Sequence, residues 1–193
     1  MKKSTIIILV VVAIIVIWGI TGYNGLVKAE ENVENGWAQV ETQYQRRLDL
    51  IPNLVSTVKG YAAHEQSTLT GVIEARSKAT QITMDPTNLT PEKLAEFQKA
   101  QGDVSNALGK LLAIRENYPD LKANEQFIGL QAQLEGTENR IAVARKGFND
   151  VANSYNKGIR TFPKNILAGM FGFEKKPYFA ADEGAKNAPK VEF

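Results

Sequence analysis

The chain reads as all-α, an N-terminal transmembrane helix followed by an antiparallel up-and-down four-helix bundle. Three observations lead there. Residues 6–20, IIILVVVAIIVIWGI, hold no charged or strongly polar side chain. Beyond them, apolar residues recur at three- and four-residue steps, the period of a helix with one buried stripe. Turns rich in proline and asparagine separate four such stretches, and short connections favour antiparallel neighbours. The organisation expected is an anchor over 1–25, a bundle over 26–162, an apolar C-terminal segment over 163–181 and a disordered tail over 182–193.

Extended from Ser4 to Tyr23, the apolar run makes about 20 helical residues, or roughly 30 Å, enough to cross the hydrocarbon core. Trp18 and Tyr23 stand at its exit end, where amphipathic rings favour the headgroup level. A cleaved signal peptide would share the basic start and apolar middle. It would need an A-x-A-like site, and here the large Ile20 stands two residues before Gly22. An uncleaved anchor is the better reading. Lys2 and Lys3 precede the span, and after it Lys28 is the only basic residue before Arg46. Basic residues favour the cytoplasmic side, which puts the body of a single-pass cell (inner) membrane protein outside the cytoplasm.

The first amphipathic stretch runs from Leu26 through Val33, Trp37, Val40, Tyr44 and Leu48 to Ile51. No proline or turn cluster divides it from the anchor, so the two can form one rod. Pro52 interrupts the pattern, lacks an N–H, and suits a first helical position, so a turn is expected near Asp49–Asn53. The second stretch, Pro52 to Gln81, carries Leu54, Val55, Val58, Tyr61, Ala62, Leu69, Val72 and Ile73. It ends in a loop from Met84 to Pro91. Thr90 caps the third helix with Pro91 at its first position, burying Leu94, Phe97, Val104, Leu108, Leu111 and Leu112 up to about Asn117. After Tyr118-Pro119-Asp120 the fourth runs from Leu121 to Thr161 on Phe127, Leu130, Leu134, Ile141 and Phe148, until Phe162-Pro163 breaks it.

Composition narrows the function. Twenty-three basic residues against 21 acidic ones give a net charge of +2, and the signs alternate along the chain. No basic stripe is available for nucleic acid. With no cysteine there is no disulfide, thiol nucleophile or cysteine metal site. His64 is the only histidine, and with Glu65 beside it the second histidine of an HExxH zinc site is missing. No strained nucleophile turn and no glycine-rich phosphate loop is visible. The chain therefore reads as no enzyme, with no catalytic residue, cofactor or metal.

At this point the residues carry a resemblance. Arg46-Arg47-Leu48-Asp49-Leu50-Ile51-Pro52-Asn53-Leu54-Val55, then Val58-Lys59-Gly60-Tyr61 and His64-Glu65, resembles the signature of the bacterial LemA family. Glu74-Ala75-Arg76, Tyr118 to Glu125, Glu138 to Arg145, Phe162-Pro163 and Gly169 to Phe173 extend the likeness over nearly the whole chain. The resemblance implies a membrane-anchored four-helix bundle without an enzymatic activity to carry over. It also implies a cytoplasmic body, against the distribution of lysines. Phe148-Asn149 departs from the family's Tyr-Asn and loses a hydroxyl.

Three groups of residues stand out. Glu65, Arg76, Glu138 and Arg145 fall on the apolar phase of their helices. Buried charge is costly unless paired, so these are expected either as Arg–Glu layers that fix helix register or as side chains snorkelling to the edge. Gly129, Gly136, Gly147 and Gly158 fall within roughly 40° of one another on the fourth helix. This stripe suits close approach of another helix and thus self-association, or else marks a helix that tolerates glycine. Ile166, Leu167, Met170, Phe171 and Phe173, with Lys175 and Lys176 adjacent, fit a segment lying in the membrane interface, or a cap over the core. The function expected is a membrane-tethered scaffold, coiled-coil-like, at the cell envelope. Its partners would be the lipid bilayer and either an unidentified protein or a second copy. The alternative is an accessory or regulatory subunit of a membrane protease or signalling receptor.

Overall fold

The computed structural model describes residues 3–180, and every regular element among them is helical. The helices are α1 (Lys3–Tyr61), α2 (Gln66–Gln81), α3 (Pro91–Ala113), α4 (Pro119–Lys122), α5 (Glu125–Gly158) and α6 (Lys164–Phe171). Short 3-10 turns stand at Pro86–Asn88 and Ile114–Asn117. The expected tail over 182–193 lies outside the described residues.

The apolar span and the first amphipathic stretch form one helix, as their uninterrupted sequence allows. The expected turn at Asp49–Asn53 is absent: α1 continues through Pro52 for 59 residues. Proline in a helix interior costs about 3 kcal/mol. Leu48, Ile51, Leu54 and Val58 are all buried around it, and burying each such side chain contributes about 1.5–3 kcal/mol. The tertiary contribution wins. The break falls instead at Ala62–Glu65, so the phase of α2 is reset, and Tyr61 and Ile73, expected inside, are exposed. The fourth helix also starts later than expected. Asn124 stands before it and accepts from the Phe127 N–H at 2.8 Å, an N-cap that ends the short α4 turn and opens α5.

Contacts divide the chain into two compact units. The first comprises Met1–Leu50, Asp85–Asn88 and Ala132–Lys176. Here α1 and α5 run antiparallel. Arg47 meets Glu138, Trp37 stacks edge-on against Phe148 at 5.7 Å, and Gly36 faces Val151. Between them lie the buried Val33, Val40, Tyr44 and Leu48 of α1 and Leu134, Ile141, Ala152 and Tyr155 of α5. α6 closes with Gly172 in the left-handed conformation at φ 74°, where the Phe173 N–H donates to the Ala168 carbonyl.

The second unit comprises Ile51–Met84, Leu89–Gln131 and Pro177–Phe193. Its core takes Leu54 and Val58 from the end of α1, and Leu69, Val72 and Ala79 from α2. α3 adds Leu94, Phe97, Val104, Leu108 and Leu111, and the first turns of α5 add Phe127 and Leu130. Thr90 caps α3 as expected, accepting from the Lys93 N–H at 3.3 Å with Pro91 at the first position.

Candidate functional site

The sequence segments that stood out as motifs meet each other within the units. In the first, Arg47 is 1% exposed and donates from Nη1 to Glu138 Oε1 at 2.9 Å, across 91 residues of sequence. The buried charge is therefore Arg47, whereas the Glu138 side chain is 46% exposed and reaches inward from the edge. Arg47 is also 5.1 Å above the Tyr44 ring. A signal for it existed: it lies three residues after Tyr44 and four before Ile51, on the buried phase of α1. In the second unit, the Tyr118 hydroxyl donates to Glu65 Oε1 at 3.2 Å and Asn124 Nδ2 donates to the Tyr61 hydroxyl at 2.9 Å. Desolvation first, and then the Glu65 carboxylate, raises the Tyr118 hydroxyl above its ordinary pKa. Arg76 and Arg145 are partly buried on α2 and α5. The Arg47–Glu138 contact joins α1 to α5, and the other two join the end of α1 and the break after it to the residues on either side of α4.

A second polar cluster in the first unit had no local sequence signal. Asn156 on α5 clamps the backbone of Lys176, donating from Nδ2 to its carbonyl at 2.8 Å and accepting its N–H at 2.9 Å. The Lys176 side chain, 6% exposed, pairs with Glu30 of α1 at 2.7 Å and donates to the Thr87 carbonyl at 3.3 Å. Its ammonium also stands 5.9 Å from the Tyr155 ring. The Tyr155 hydroxyl is buried with no hydrogen-bond partner. Burial above all, then the Glu30 and Glu174 carboxylates, pushes its pKa well above the usual phenol value. The cluster fastens the extended chain after α6. Its geometry is that of a latch.

The remaining candidates lie at the surface. A Cβ placed on Gly129, Gly147 or Gly158 would meet nothing within 4 Å, and one on Gly136 would meet only the Arg140 guanidinium, at 3.4 Å. α6 lies against α1 where the apolar run ends: Leu167 Cδ1 is 2.6 Å from a Cβ position on Gly22, and Phe171 and Phe173 pack at 4.8 and 5.8 Å from Tyr23. Leu167 is thus turned inward, while Ile166, Met170 and Phe171 remain exposed. His64 is exposed at the break after α1, and no group of three or more His, Cys, Asp or Glu able to hold a metal occurs among the described residues. A shallow groove of about 540 Å³ between α2 and α3 is lined by Gly71, Ala75 and Ala107 with Glu74, Lys78, Asp103 and Lys110.

The N-terminal part of α1 is long and apolar enough to cross a membrane, and only 6% of its most apolar window is buried within the chain. Outward-facing apolar residues of that kind associate the protein with a membrane. Comparison with known proteins locates the rest. The chain is 30% identical over 174 residues to magnetosome protein MamQ 2 of Paramagnetospirillum magneticum, covering 81% of this chain and 64% of that protein. It is 29% identical over 174 residues to magnetosome protein MamQ of Magnetospirillum gryphiswaldense, with the same coverage. Protein LemA of Metamycoplasma hominis is 26% identical over 160 residues, 83% of this chain and 69% of that protein. The match thus spans less than two thirds of the length of these magnetosome relatives, and none of the three names denotes a reaction. The LemA family model matches residues 36–193. That range holds both partners of the Arg47–Glu138, Tyr118–Glu65 and Asn124–Tyr61 contacts, and the chain belongs to the LemA family.

Proposed function

We propose that this protein is a non-enzymatic, membrane-anchored helical scaffold at the cell envelope. Its body, a four-helix arrangement, self-associates or receives a protein partner on the outer face of α5. The observation that carries the reading is the open glycine stripe. Gly129, Gly136, Gly147 and Gly158 together cost about 3–4 kcal/mol of helix propensity relative to alanine. Nothing in the chain's own packing requires a missing side chain at Gly129, Gly147 or Gly158. Other helical glycines, Gly71, Gly102 and Gly109, also face open space, so the argument rests on alignment as well as on openness. Four aligned small residues let a second helix approach closely, which offsets the propensity cost. The lysine distribution around the span supports a body outside the cytoplasm.

The test uses the full chain extracted in mild detergent. Its assembly size is measured by light scattering for the parent and for the double variant Gly136→Leu, Gly147→Leu. The expected result is a smaller assembly with unchanged helicity. An assembly untouched by both substitutions overturns the self-association reading. Co-purification of one stoichiometric membrane enzyme with the parent, lost in the variant, would assign the stripe to a partner instead.

A further inference from the structure

We propose that α6 lies in the membrane interface beside the span, so that the chain meets the lipid at two places. α6 is apolar on two faces. Its inner face, Leu167 and Ala168, is buried, with Leu167 against Gly22. Its outer face is not covered by the chain: Ile166 is 49% exposed and Met170 73%, and Phe162 just before it is 75% exposed. Ile166 and Met170 are four residues apart and share one side of the helix. An apolar helix face that its own chain leaves open needs an apolar medium.

The position of α6 along α1 identifies that medium. The outward-facing apolar run of α1 ends at Ile20, 57% exposed. Gly22, which receives Leu167, is two residues further, or roughly 3 Å along the axis. Lys164 Nζ is 4.0 Å from a Cβ position on Gly25, roughly 7–8 Å beyond Ile20. α6 therefore lies within the 5–10 Å boundary region in which interfacial helices bury their apolar side. Tyr23, stacked on Phe171 and Phe173, provides a ring at the same level. Lys164 at the start of α6 and Lys175 beyond its end are exposed, suited to phosphate headgroups. The exposed surface of α6 continues that of the span, so the occupant is lipid.

The inference rests on the membrane anchor and is independent of the glycine stripe. Because the chain contains no cysteine, three single-cysteine versions of the full chain can each carry one fluorophore: Ile14→Cys in the span, Met170→Cys on α6 and Val143→Cys on α5. Val143 is 72% exposed, equal in openness to Met170, and lies roughly 30 Å further along the α1–α5 pair. The proteins are reconstituted in phosphatidylcholine–phosphatidylglycerol vesicles and quenched either by lipids brominated on the acyl chain or by aqueous iodide. The expected result is that brominated lipid quenches Ile14 and Met170 labels several-fold more than the Val143 label, while iodide shows the reverse order. A Met170 label behaving like Val143 overturns the proposal. Shielding of Met170 from both quenchers also overturns it and makes protein the occupant. If the Ile14 label escapes brominated lipid, the anchor reading fails first and the inference fails with it.

Discussion

Gly22 and Gly36 on α1 contrast with Gly129, Gly147 and Gly158 on α5. A side chain at Gly36 would place its Cβ 2.9 Å from Val151 Cγ2 and 3.5 Å from the Phe148 Cα, and one at Gly22 would be 2.6 Å from Leu167 Cδ1. At these two positions another segment of the chain comes close, whereas Gly19 and Gly60 of the same helix meet nothing within 4 Å. The three on α5 have nothing within 4 Å. One residue type therefore marks an inner contact at two positions of α1 and an open face along α5. Sequence spacing treats them alike; only the position of the opposing atoms separates them.

The largest way to break this comparison is to put the same side chain on both faces. Gly36→Leu must displace Val151, whose branched side chain is stiff at χ1, and the Phe148 backbone behind it. Overpacking of that kind costs about 1–3 kcal/mol or more, and at about 2–4 °C per kcal/mol the full chain in detergent should melt up to about 10 °C lower. Gly147→Leu, melted at a dilution at which the chain is unassembled, removes an open glycine from a helix and should raise the melting temperature by a few degrees, in line with about 0.8–1 kcal/mol of propensity. Both are read from the loss of helical circular dichroism on heating. Equal shifts of the same sign would mean that the two faces do not differ.

A smaller effect sharpens the inner side. Glu138→Gln keeps the shape of the Arg47 contact and removes the charge opposite a guanidinium that is 1% exposed. A charge-assisted hydrogen bond contributes about 1.5–3 kcal/mol, reduced here because the Glu138 side is 46% exposed. A drop of several degrees is expected. The double change Arg47→Met, Glu138→Gln should recover part of it, because a well-packed apolar side chain replaces a buried charge at little cost. If Glu138→Gln melts with the parent, Arg47 is held by its other contacts and the pair does not fix register.

The buried faces of α1 and α5 were legible because they are periodic. Trp37, Tyr44, Leu48, Ile141 and Phe148 follow helical steps, and all are buried. Thr90 and Pro91 announced the start of α3 through local chemistry, which needs no tertiary knowledge. Pro52 misled because its penalty is local, whereas the burial that offsets it comes from residues on other helices. The latch around Lys176 was invisible for a different reason. Glu30, Asn156 and Lys176 are separated by long stretches of chain, and Lys176 follows no helical period in an extended segment. Residues joined by long-range packing without a local period leave no mark that a single sequence displays.

The smallest expected effect at neutral pH tests that latch. Tyr155→Phe deletes a buried hydroxyl that has no hydrogen-bond partner, so stability at pH 7 should change by about 0.5 kcal/mol or less. Alkaline pH should separate the two proteins. Burial and the nearby carboxylates of Glu30 and Glu174 raise the folded phenol above its ordinary value of 10.0. The folded state then holds the phenolic proton more tightly than the unfolded state does. The resulting stabilisation is complete below the unfolded pKa and is lost as pH rises from there toward the folded pKa. Melting of the parent should therefore fall more steeply above about pH 10 than melting of Tyr155→Phe, with lysine titration common to both. Parallel curves from pH 8 to about pH 11 would mean that water reaches the Tyr155 ring. The segment after α6 would then be held by Asn156 and Glu30 over a wet surface, and the inner face of the α1–α5 pair would end before Tyr155.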